Sequence, residues 1–132
     1  MSDPRHVLLI DDDPDMHDII RLVLEPSGYR VTCHATGPSG MEALRRDQPD
    51  MLLLDIMLAT PTEGLLLAHQ IKRDETFKRI PIIMISSIGR AHGEAYGREL
   101  GADGVPVERF MEKPLEPAQL RAAVDEVLNG GG

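Results

Sequence analysis

At 132 residues, 42% of them apolar and 27% charged, the chain has the size and composition of one globular domain with a sizeable hydrophobic core. Its net charge of −8 argues against nucleic acid or an anionic membrane as a direct partner and suits a basic protein or a metal cation. Two Phe, two Tyr and no Trp leave little to stack on bases, the single Cys33 permits no internal disulfide, and no apolar run reaches the ~20 residues of a membrane span. With no signal peptide, the expected location is the cytoplasm.

In chain order, Val7–Ile10 is a continuous apolar run that stops at Asp11-Asp12-Asp13 and reads as a buried strand. Asp13-Pro14 has the form of an acidic N-cap followed by proline at the first helical position. Ile19, Ile20, Leu22, Val23 and Leu24 supply that helix with an apolar face, and Pro26 and Gly28 end it. Tyr29–Ala35 is rich in strand formers and encloses Cys33, a small core residue. Gly37-Pro38 reads as a turn, and Ser39 or Gly40 opens a second helix that closes on Arg45-Arg46. Met51–Leu54 is a third buried strand running straight into Asp55. A loop over Ala59–Gly64 precedes a helix carrying Leu65, Leu66, Ala68 and Ile71. Ile80–Ile85 is a fourth strand, with Pro81 at its tolerated beginning and Ser86-Ser87 at its end. A polar helix is expected over Ala91–Leu100, a turn over Gly101–Gly104, a fifth strand between Val105 and Glu112, and a last helix with Pro117 in its first turn. Asn129 and the terminal glycines stop that helix. No linker or internal repeat divides the chain, so residues 1–132 are expected to be a single domain, with its core over about 6–128 and a glycine-rich tail.

Five alternating strand–helix units predict a doubly wound α/β fold with a parallel sheet covered on both faces. Ligands of such sheets bind outside the carboxyl ends of the strands. Here those ends carry Asp11, Asp12 and Asp13, then Asp55, then Ser86 and Ser87, then Lys113. Clustered carboxylates resist ionisation unless a cation is present. Asp11, Asp12 and Asp55 sum to −3, which one Mg²⁺ and the Lys113 ammonium neutralise. A carboxylate, a hard cation, a lysine and a hydroxyl are the parts needed to move a phosphoryl group onto a carboxylate oxygen.

LLIDDD, LLLDIML, IPIIMISS and EKP, in that order and each at a strand end, make the chain resemble the receiver domain of response regulators, the phosphoacceptor half of two-component signalling. The resemblance spans about Val7 to Leu128. It implies a flavodoxin-like (βα)5 sheet of strand order 2-1-3-4-5. It implies that Asp55 is phosphorylated, that Asp12 ligates Mg²⁺ directly and Asp11 through water, and that Met57 offers its backbone carbonyl to the metal. It makes Ser86 the switch hydroxyl, Lys113 the lysine that contacts the phosphoryl group, and Phe110 the aromatic switch position. The implied phosphodonor is a histidine kinase or phosphotransfer protein, and the output is a changed surface on the fourth helix, fifth strand and last helix that binds a downstream protein. Such a module catalyses its own phosphorylation and dephosphorylation and is not a conventional enzyme. The resemblance also implies that Met57 and Ile88 stand at the two positions that tune loss of the phosphoryl group; both are apolar here, which predicts slow loss.

Two stretches depart from the family pattern. Ala59 stands where proline is usual, and Gly64 comes one residue late, so the loop after Asp55 is longer. Val105–Arg109 intervenes before the fifth strand. Asp13 reads as a helix cap rather than a metal ligand, and His6, His17, His34, His69 and His92 show no metal or catalytic spacing. Two other readings compete. An aspartyl-phosphate hydrolase of the haloacid dehalogenase type shares the Asp-x-Asp spacing at Asp11-Asp12-Asp13, but no Thr follows at the place that family requires and no cap domain is expected. The other is a receiver-like docking scaffold that is never phosphorylated.

Overall fold

Each apolar run becomes a strand whose alternate residues serve two cores. The computed structural model describes residues 4–86 and 107–130. Within them β1 (His6–Ile10), β2 (Arg30–His34), β3 (Met51–Asp55), β4 (Ile82–Ser86) and β5 (Arg109–Glu112) form one sheet of order β2-β1-β3-β4-β5, parallel at every pairing. On one face Leu8, Ile10, Leu52, Leu54, Ile82 and Met84 pack against α2 (Gly37–Arg46) and α3 (Glu63–Arg73). On the other, Val7, Leu9, Met51, Leu53, Ile83 and Ile85 pack against α1 (Pro14–Leu24) and α4 (Pro117–Asp125). Every residue of β1, β3 and β4 is buried, which is why these strands read as unbroken apolar runs with no alternation. The edge strand β5 keeps alternate residues exposed.

The helix starts follow from their caps. The Asp13 side chain accepts from Asp15 N, with Pro14 in the first turn of α1, as expected. The second helix begins earlier than expected. Thr36 accepts from Ser39 N at 3.2 Å, which draws Gly37 and Pro38 into the first turn of α2 and removes the turn foreseen there. Proline is tolerated at that place because the first N–H groups of a helix have no intrahelical partner. Likewise α3 starts at Glu63, so Glu63 and Gly64 belong to a helix and not to the preceding loop. After α4 the chain widens into a π-type turn over Glu126–Gly130.

Of the stretch before β5, Arg109 is already part of the strand and Glu108 has a structural use. Glu108 N donates to Ile82 O at 3.0 Å, and its Oε1 accepts from Ile82 N at 2.7 Å. Lys72 Nζ lies 3.2 Å from Glu108 Oε2 and donates to Ile80 O at 2.8 Å. This clamp fixes where β5 begins, and so fixes Lys113 at its other end. Tyr29, just before β2, donates to Asp125 at the end of α4, and Arg5, just before β1, donates to Leu128 O in the turn that follows α4. The expected helix over Ala91–Leu100 and the turn over Gly101–Gly104 lie outside the described residues, as do Ser87, Ile88, Val105 and Pro106. Among the described residues no helix is long and apolar enough to cross a membrane.

Candidate functional site

Parallel strands deliver their carboxyl ends to one edge, and the order of the strands decides which ends are neighbours. From β1 the chain crosses to β2 on one side, then returns to β3 on the other, so the β1/β3 boundary is the switch point where ligand crevices form. Asp11 follows β1 there, and Asp55 is the last residue of β3. Ser86 ends β4 on the far side of Asp55, and Lys113 follows β5.

Asp11 is completely buried, Asp55 is 2% exposed and Ser86 5% exposed, while Asp12 faces solvent. One carboxylate oxygen from each of Asp11, Asp12 and Asp55 falls within 4.8 Å of the others. Lys113 Nζ lies 3.0 Å from Asp11 Oδ2 and 3.6 Å from Asp55 Oδ2. One ammonium therefore pairs with two carboxylates of the cluster. Burial, and then the charge of Asp11, push the Asp55 carboxyl up to about 6, against the pull of Lys113. Burial by itself would lower the Lys113 ammonium, but Asp11 and then Asp55 more than offset it and hold it above its ordinary value.

The cluster fits a hard divalent cation. Asp11 Oδ2 is buried and takes no hydrogen bond in standard geometry, although it forms an ion pair with Lys113. Three oxygen donors of net charge −3 converge beside it. Oxygen-only coordination with room for water on the exposed Asp12 side is what Mg²⁺ favours.

Local structure holds these groups in place. Asp11 N donates to His34 O at 3.0 Å, extending the β1–β2 ladder by one residue, and Asp11 Oδ1 accepts from Asp13 N at 2.9 Å. Asp55 Oδ1 accepts from Met57 N at 3.1 Å, leaving Oδ2 toward Lys113. Lys113 N donates to Ser86 O at 2.7 Å, so the lysine and the serine are tied by backbone, and the Lys113–Pro114 peptide that follows is cis. Phe110 sits opposite Met84 on β5, 36% exposed. Met57 is half-buried in the loop that follows Asp55.

The longer loop after Asp55 has its own latch. Glu63 Oε1 accepts from Ala59 N at 2.8 Å, and the other oxygen lies over the start of α2, where a Cβ on Gly37 would come within 2.5 Å of it. Asp12, Thr36, Gly37, Ala59 and Glu63 enclose a cavity of about 190 Å³ beside the acid cluster. The glutamate thus closes the turn that proline pre-sets elsewhere. Glu63→Ala is expected to cost roughly 1–2 kcal/mol and to raise amide hydrogen exchange at Ala59, with exchange inside β3 unchanged. Wild-type protection of Ala59 N–H in the variant would contradict the latch.

The structure brings together Asp11, Asp12 and Asp55 with Lys113, places Ser86 at the neighbouring strand end, and leaves Phe110 a half-exposed residue on the sheet edge. It also adds two residues that spacing alone did not select. Glu63 is four residues from the amide it caps, a capping distance visible once the helix start is known. His17 Nε2 lies 2.6 Å from Asp11 O, across a turn whose geometry no sequence pattern encodes.

Comparison with known proteins agrees with this geometry. Residues 7–125 match the response regulator receiver domain. The transcriptional regulatory protein CseB of Streptomyces coelicolor is 36% identical over 137 aligned positions, covering 100% of this chain and 55% of that protein. The phosphate regulon transcriptional regulatory protein PhoB of Pseudomonas aeruginosa is 33% identical over 126 positions, covering 96% of this chain and 52% of that protein. The chain thus spans about half the length of the curated relatives it matches. A putative response regulator from Chloroflexus aurantiacus superposes with a TM-score of 0.82 at 27% identity, over 95% of this chain and 98% of that one. The receiver domain of a sensor histidine kinase from Pseudomonas aeruginosa, solved with a magnesium ion in its active site cleft, shares the fold with a TM-score of 0.79 at 23% identity, over 95% of this chain and 98% of that one. With its parallel sheet, its acids at the switch point and the match over 7–125, the chain belongs to the response regulator receiver domain family.

Proposed function

We propose that Asp55 accepts a phosphoryl group from the phosphohistidine of a histidine kinase or phosphotransfer protein, at a site where Asp11, Asp12, Asp55 and the Met57 carbonyl hold one Mg²⁺. The observation that carries this reading is a nearly buried carboxylate, Asp55, set beside a lysine and two further acids at the sheet's switch point. When bound, the cation supplies positive charge for the oxygens of the transferring group. Asp55 Oδ2 attacks phosphorus, and the bond from phosphorus to the donor imidazole breaks. Met57 N–H holds Oδ1 and so orients the attacking oxygen. Lys113, released from its pairing with Asp11 and Asp55, contacts the incoming phosphoryl oxygens.

Phosphorylation replaces a charge of −1 on Asp55 with about −2. That demands another donor, and the Ser86 hydroxyl at the next strand end is the group we assign to it. Its inward movement, with rotation of Phe110, would alter the surface of β5 and α4. The chain turns over no external substrate in this reading. Its output is protein contact. The single Cys33 and the lack of a spanning helix among the described residues support a cytoplasmic setting.

Incubation with Mg²⁺ and acetyl phosphate, followed by intact-mass measurement, tests the reading. One phosphoryl should add to the wild type and none to Asp55→Asn or to protein in EDTA. Equal addition to wild type and Asp55→Asn would refute it, and sustained release of phosphate from esters would indicate a hydrolase.

A further inference from the structure

The three acids are not held equally. Asp11 is fixed through its amide, both carboxylate oxygens and its carbonyl. Asp55 is fixed through its place in β3 and through Met57 N–H. Asp12 is exposed, and its carboxylate takes no hydrogen bond or ion pair among the described residues. Its position therefore depends on the backbone that carries it.

That backbone is the Asp11–Asp12 peptide. A peptide is planar, so whatever holds the Asp11 carbonyl sets the plane from which Asp12 departs. His17 holds it, with Nε2 at 2.6 Å from Asp11 O. A carbonyl only accepts, so Nε2 carries the proton. Side chains in a helix lean toward its N-terminus, which lets a residue in α1 reach back over the first turn. The start of α1 is itself fixed by the Asp13 cap and by Met16 N donating to Asp13 O at 3.0 Å. The imidazole is thus a strut between a capped helix and the exit of β1.

We infer that His17 is a positioning residue for cation binding, acting on Asp12 through the Asp11–Asp12 peptide. The inference rests on the reading that Asp11, Asp12 and Asp55 form the cation site. His17 is not among the groups that converge there, which are Asp11, Asp12 and Asp55.

Substitutions separate the donor from the bulk of the ring. The amide nitrogen of Gln lies as many bonds from Cα as Nε2, and that of Asn lies one bond short. Mg²⁺ affinity of the whole chain is measured by titration calorimetry at one fixed pH for wild type, His17→Gln, His17→Asn, His17→Leu and Asp12→Asn. Loss of a group that orients a metal ligand costs 10–100-fold in affinity, so His17→Leu and His17→Asn should bind about tenfold more weakly and His17→Gln within about threefold of wild type. In metal-free protein, amide exchange at Asp13, whose N–H donates to Asp11 Oδ1, should accelerate in His17→Leu and His17→Asn and not in His17→Gln. Wild-type affinity in His17→Leu and His17→Asn overturns the inference, as does a His17→Gln as weak as His17→Leu. If the Leu variant does not fold, the Asn and Gln variants decide; if neither Leu nor Asn folds, His17 is structural and the inference falls. A wild type that binds no Mg²⁺ overturns both this inference and the site reading. Asp12→Asn binding as tightly as wild type overturns the inference as well, because His17 would then have no ligand to position through the Asp11–Asp12 peptide.

Discussion

Asp55→Asn is expected to end phosphoryl uptake and, at the same time, to stabilise the metal-free protein. The second effect follows from where the carboxyl sits. Burial first, and Asp11 second, raise it from 3.8 to about 6. A raised carboxyl means that the folded chain holds this proton more tightly than the unfolded chain does. The contribution to stability is then fully present below about pH 4 and is lost as pH rises through about 6. Near neutral pH the ionised Asp55 costs the metal-free fold about 3 kcal/mol. Asparagine keeps an oxygen for Met57 N–H at the same place and avoids that cost. Urea denaturation in EDTA should give Asp55→Asn a higher midpoint than wild type at about pH 7.5, with the gap closing toward about pH 4 and on addition of Mg²⁺ to the wild type. A variant less stable than wild type at neutral pH in EDTA would show that the three acids do not repel as their spacing requires.

Gly64→Ala is expected to damage the fold and the site together. In the first turn of α3, Gly64 N donates to Ile56 O at 2.8 Å, and the helix crosses the end of β3 so closely that an added Cβ would fall on the Asp55 carbonyl oxygen and 2.7 Å from Ile56 Cα. Both are backbone atoms, so neither can swing aside. The strand or the helix must shift, and with it the acceptor. Overpacking against a rigid neighbour costs about 3 kcal/mol or more. Gly37→Ala meets the end of the Glu63 side chain, which can rotate away, and should cost about 1 kcal/mol. Denaturant titration of the two variants gives the ranking, and intact-mass measurement after acetyl phosphate shows whether Gly64→Ala also slows uptake at Asp55. Equal stability of Gly64→Ala and wild type would mean that α3 stands farther from β3 than described.

Much of this was legible because the fold's central strands are buried on both faces. Leu8-Leu9-Ile10 and Leu52-Leu53-Leu54 show no alternation, and the first polar residue after each marks where the strand leaves the core. Parallel topology then converts sequence position into a common edge, so Asp11, Asp55, Ser86 and Lys113 could be assembled from spacing. Interactions set by tertiary contact were not legible in the same way. Gly37-Pro38 carries a turn signature, but the Thr36 hydroxyl captures Ser39 N–H and makes those residues helical. The late start of β5 depends on Glu108 meeting Lys72 and Ile82, which are distant in sequence. The His17 hydrogen bond depends on how a helix lies against the strand before it, which hydrophobic periodicity does not report. Ala59, conspicuous as the place where proline is missing, is held by Glu63 instead, so the departure in sequence is compensated in structure.

The central claim is that Asp55 is the acceptor. An acyl phosphate on aspartate is reduced by borohydride to homoserine, whereas an unmodified carboxylate is untouched. Phosphorylated protein should therefore be treated with borohydride, digested and sequenced by peptide mass spectrometry. The account predicts homoserine at position 55 and nowhere else; homoserine at position 11 or 12, or an unreduced Asp55 in protein that carries the phosphoryl mass, would contradict it.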